Sequence, residues 1–94
     1  MTAFMIVQTA ISDPARFARY SKAVVPLIQT FGGALVAKNG VEVLEGDHDE
    51  RGFAIFEFPS MEAIHAFWES PDYVPVKEIR RGAGAVDVWA VPAL

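Results

Sequence analysis

The chain contains no cysteine among its 94 residues. Disulfides, thiolate metal sites and a cysteine nucleophile are therefore excluded. No apolar run approaches the roughly 20 residues that a membrane-spanning helix needs. Positive charge is scarce and scattered: Arg16, Arg19, Lys22, Lys38, Arg51, Lys77, Arg80 and Arg81 stand against twelve acidic residues, for a net charge of −4. A nucleic-acid binder gathers its basic residues into a patch, and none is visible here. The opening Met1-Thr2-Ala3-Phe4-Met5-Ile6-Val7-Gln8 lacks the basic start and apolar core of a secretory signal. The expectation is a cytoplasmic protein with no nucleic-acid and no membrane partner. No Ser–His–Asp arrangement, phosphate-binding loop or paired-carboxylate signature occurs, so neither a cofactor nor a metal is expected.

What the chain has in excess is apolar side chains, at 52% against a usual share of roughly 45–50%. A single domain of this length, residues 1–94, buries only about 60–65% of its unfolded surface. A surplus of apolar residues in so small a domain points to a further buried interface.

Phe4 to Ala10 is a short apolar run bounded by polar residues and reads as a central strand. Asp13-Pro14 starts a helix, because Asp13 can cap free N–H groups and proline at the first helical position loses no bond. Phe17, Tyr20, Val24, Leu27 or Ile28, and Phe31 follow in steps of three and four, forming one apolar stripe. Pro26 inside that stripe should kink or break the helix, and Gly32-Gly33 should end it. Asn39-Gly40 between Ala34–Lys38 and Val41–Glu45 predicts a hairpin, since both turn residues accept positive φ; a bulged single strand is the alternative. Phe53 to Phe58 is another apolar strand. Ser60 caps a second helix with its stripe at Ala63, Ile64, Phe67 and Trp68. Ser70-Pro71 stops that helix and opens a short helical segment reaching about Arg81, and Ala85 to Val91 is the last strand. The order is that of a ferredoxin-like βαββαβ α+β fold with an antiparallel sheet.

Two helices cover only one face of such a sheet. Yet Phe4 and Ile6 alternate with Met5 and Val7, and Phe53 and Ile55 alternate with Ala54, Phe56 and Phe58. An uncovered face this apolar would form a large exposed patch, and a second sheet is its natural cover. A homodimer is expected on this ground.

Single polar residues inside apolar strands are candidates for chemistry. Glu57 and Asp87 must find a partner or shift their pKa, and Arg80 or Arg81, just before the last strand, is the expected partner. His65 falls off the apolar stripe of the second helix, which places it on the surface. His48 lies in a polar loop whose spacing matches no metal motif.

Gly32-Gly33, Val43-Leu44-Glu45-Gly46-Asp47, Glu57-Phe58-Pro59-Ser60, Ser70-Pro71-Asp72-Tyr73 and Lys77 with Arg80, in this order over nearly the whole chain, resemble the family of domain of unknown function 1330. That family lies in the dimeric α/β-barrel superfamily, so the resemblance implies two ferredoxin-like subunits packed sheet to sheet with helices outside. It also places Tyr20, Trp68, Tyr73 and Arg80 on matching positions, which makes them, with Glu57, the candidate ligand-binding residues. The superfamily includes cofactor-independent oxygenases and isomerases. The favoured expectation is a homodimer holding a small, partly apolar molecule between sheet and helices. The alternatives are a cofactor-independent oxygenase or isomerase, and a structural or interaction subunit without a ligand.

Overall fold

The computed structural model describes residues 1–49 and 51–94. Its elements are β1 (Ala3–Ile11), α1 (Pro14–Thr30), β2 (Ala34–Lys38), β3 (Gly52–Phe58), α2 (Met61–Trp68), α3 (Tyr73–Ile79) and β4 (Gly84–Pro92). The four strands form one antiparallel sheet in the order β2-β3-β1-β4, the ferredoxin-like arrangement. The apolar run at the N-terminus is therefore a central strand, as its composition predicts.

Local chemistry sets the helix ends. The Asp13 carboxylate accepts from the Arg16 N–H at 3.1 Å, with Pro14 in the first turn. At the other end of α1, Gly32 takes a φ of 85°. The Gly33 N–H then reaches the Ile28 carbonyl at 2.9 Å, and the Gly32 N–H reaches that of Gln29, the paired closure of a Schellman motif. Gly33 also has no room for a side chain, because Ile28 and Phe58 crowd the place a Cβ would occupy. The Ser60 hydroxyl accepts from Ala63 N–H at 3.1 Å and caps α2.

Two sequence expectations are corrected. Pro26 does not break α1, which continues to Thr30. Pro26 removes the donor for the Lys22 carbonyl, but both residues are exposed, so water can take its place. Val41–Glu45 is not a strand. Asn39 and Gly40 do take the positive φ values of a tight turn, 56° and 68°. However, the chain that returns to β2 is β3, with Lys38 opposite Ala54, and the Asn39 N–H bonds the Phe53 carbonyl at 2.6 Å. The ladder beside β2 is filled by the more apolar β3, leaving no place in it for Val41–Glu45.

The core lies between the sheet and its helices. Ala3, Met5, Phe58, Val24, Ile28, Ile64, Phe67 and Tyr73 form one buried cluster. Phe67 is its hub, with ring centroids 4.6 Å from Tyr73, 6.0 Å from Phe58 and 6.1 Å from Phe31. The molecule is a slab of 36 × 36 × 15 Å, thick enough for one sheet and one layer of helices. The other sheet face is left with Phe4, Ile6, Ile55, Trp89 and Val91, by the cross-strand register. No helix among the described residues is long and apolar enough to cross a membrane.

Candidate functional site

On the helix side of the sheet, pleating aims Met5, Val7 and Thr9 of β1, Ala54 and Phe56 of β3, and Val86 and Val88 of β4 in one direction. Val24 and Ile28 of α1 pack down near the end of the helix. Towards its N-terminal half, Phe17, Tyr20 and Ser21 roof a cavity of about 550 Å³. Small residues, Gly52 and Ala54 on the floor and Ala18 in the roof, leave that space open. Its size falls in the range of small-molecule pockets, about 300–1,000 Å³.

Two tyrosines supply its buried polar group. The Tyr20 and Tyr73 hydroxyls lie 2.9 Å apart and share a hydrogen bond. One donates, and the hydroxyl that accepts keeps its own hydrogen for a third group. Tyr73 is fixed by burial, at 2% exposure, between Phe67 and Trp68, whose ring lies 5.3 Å away. Tyr20 packs on Phe17 at 5.5 Å. The Arg80 guanidinium sits 5.5 Å from the Tyr20 ring centroid, and its Nε is buried without a hydrogen-bond partner among the described residues. Burial pushes the Tyr20 phenol far above its ordinary value, the adjoining Tyr73 adds to the rise, and Arg80 pulls against it. Tyr20 is thus a neutral hydrogen-bonding group at any physiological pH. Trp68 forms part of the wall with Lys77 Nζ 4.7 Å over its ring.

Of the residues singled out from the sequence, Tyr20, Trp68 and Tyr73 meet at the cavity, and Arg80 stands against Tyr20. Glu57 does not join them. It lies opposite Phe4 in the ladder, on the outer face of the sheet, because a one-residue step along a strand reverses the side chain's direction. Asp87 also lies on that face. Its partner is Arg51 at 2.7 Å, not the expected Arg80 or Arg81: Arg80 is held at Tyr20 and Arg81 pairs with Glu78 at 2.9 Å. His65 is exposed on α2, as its spacing predicts. His48 is half-buried, its ring edge-on to Phe53 at 6.4 Å. Sequence reading missed Thr9, Ser21 and Lys38 as cavity residues. The alternation of β1 gave a signal for Thr9, which shares its phase with Met5 and Val7.

The family of domain of unknown function DUF1330 matches residues 2–94, and this chain belongs to that family. No functionally curated protein matches it. Among solved structures, a Rhodopseudomonas palustris protein of unknown function is 21% identical, with a TM-score of 0.73 over 99% of this chain and 82% of its own. A dimeric ferredoxin-like protein of unknown function from Jannaschia sp. CCS1 is 10% identical, with a TM-score of 0.66 over 99% of this chain and 100% of its own. SnoaB, a cofactor-independent oxygenase from Streptomyces nogalater, is 13% identical, with a TM-score of 0.63 over 99% of this chain and 93% of its own. These likenesses establish the fold.

Proposed function

We propose that this DUF1330-family protein is a homodimer that binds a small, partly apolar molecule in the cavity between the sheet and α1, with Tyr20 and Tyr73 as its polar anchor and Arg80 holding Tyr20 in place. The observation that carries this reading is the hydroxyl pair set into an otherwise largely apolar cavity of about 550 Å³. Binding pockets combine apolar walls with a few convergent polar groups. The dimer is supported by the outer sheet face, where Trp89 and Val91 are 48% and 41% exposed beside Phe4, Ile6 and Ile55. A symmetric pair buries the same patch twice.

A cofactor-independent oxygenase or isomerase would need a titratable group facing the cavity. Glu57 and Asp87 lie on the opposite sheet face and His65 is exposed, so these three do not carry that reading; among the described residues, the titratable groups at the cavity are the Tyr20 and Tyr73 phenols and Lys38 at its rim. A subunit without a ligand is disfavoured by the cavity itself. Fragment titration followed by amide NMR tests the proposal. Shifts are expected to gather at Tyr20, Trp68 and Tyr73. Shifts scattered over the surface, or confined to the outer sheet face, would refute it.

A further inference from the structure

One irregularity in the sheet bears on what the cavity takes. In β2, Leu35 pairs with Phe56, but the next partners are Ala37 with Ile55 and Lys38 with Ala54, so one extra residue is inserted at Val36. Such a bulge reverses the facing of every later residue in the strand. Without it, strict alternation from Leu35 would turn Ala37 toward the helices and Lys38 toward the outer face. With it, Lys38 shares its direction with Ala54 and Val7, and the residue lines the cavity. The bulge therefore exchanges an alanine for a cation at the cavity rim.

The charge around it is one-sided. The chain carries twelve acidic residues and a net charge of −4, yet among the described residues no aspartate or glutamate lines the cavity, and Lys38 is the one charged residue that does. No salt bridge engages Lys38 among the described residues. The exposed Asn39, also in the rim, adds an amide that can donate to an oxygen. Below lie Val7, Val24, Phe56 and Val88, which suit an uncharged hydrocarbon body.

Resting on the binding reading above, we infer that the ligand is an apolar-bodied monoanion of the carboxylate class, its chain or ring among the cavity's aliphatic and aromatic walls and its carboxylate on Lys38 at the rim. The lysine is exposed, so its contribution is that of a partly solvated, charge-assisted contact, weakened by salt.

The test compares octanoate, phenylbutyrate and naphthylacetate with their primary amides, which keep the shape and lose the charge. Affinities are read by amide NMR titration on the intact wild-type protein and on Lys38→Met, a variant that keeps the apolar stem. For at least one pair, the acid is expected to bind about tenfold more tightly than its amide in wild type, the size of a single charge-assisted contact. That preference is expected to vanish in Lys38→Met while the amide binds as before, and to shrink in high salt. Acid and amide binding equally in wild type, or a preference that survives Lys38→Met, overturns the carboxylate assignment and leaves the pocket reading standing. No shifts at Tyr20, Trp68 or Tyr73 with any of the six compounds overturns both.

Discussion

Trp89 and Val88 are neighbours in β4, yet the fold assigns them to different surfaces. Val88 pairs with Val7 and faces the helices, while Trp89 pairs with Ile6 and faces outward. If a second copy covers the outer face, Trp89 is among its largest anchors. It is 48% exposed in the single chain. A tryptophan offers about 150–250 Å² for burial, so about 100 Å² remains to be covered by the partner. At about 25 cal/mol per Å² that is about 2.5 kcal/mol per copy. A symmetric interface counts it twice, giving about 5 kcal/mol. Alanine retains part of this area, so Trp89→Ala is expected to weaken the dimer by about 4 kcal/mol, or about a thousandfold in dissociation constant. Sedimentation velocity across a concentration series measures this, with far-UV circular dichroism confirming that the variant monomer is folded. Val74→Ala, on the exposed side of α3 at 67% exposure, is the control and should leave the dimer unchanged. A wild-type protein that sediments as a stable monomer at micromolar concentration, or a Trp89→Ala dimer as tight as wild type, would refute the placement of the interface.

Phe67→Ala removes the hub ring that Phe31, Phe58 and Tyr73 share at a site only 1% exposed; a loss of about 3–5 kcal/mol is expected, read from urea midpoints. Alkaline pH should act through Tyr20. Its folded-state pKa is raised, chiefly by burial, so the native protein keeps a proton that the unfolded chain gives up near about pH 10. The resulting stability is complete below that pH and declines as pH rises from there toward the raised folded value. Denaturation midpoints in mildly alkaline buffer and above about pH 10 should show this decline in wild type and a smaller one in Tyr20→Phe. An identical decline in both would remove Tyr20 as its source.

Local chemistry made much of this protein legible in its sequence. Asp13-Pro14, Gly32-Gly33 and Ser60 mark helix ends because capping and left-handed backbone depend on the residues themselves, and the structure places the ends there. Asn39-Gly40 adopts the positive φ its composition allows. The two phases of β1 and β3 were legible as two apolar sets, since strand side chains alternate with a period of two, and the fold decided that Met5, Val7, Ala54 and Phe56 face the helices. Tertiary structure decided matters that no local window contains. Which strand fills the ladder beside β2 was a competition between Val41–Glu45 and β3, won by β3. Asp87 found Arg51 rather than Arg80, because Arg80 was placed against Tyr20 by the packing of α1 on α3. The hydroxyl pair joins residues 53 positions apart. Lys38 reached the cavity through a bulge whose position depends on the register with β3. Pairing, register and the meeting of distant side chains are set by the contacts of the whole folded chain, and a sequence pattern carries only the half of each contact that it can see.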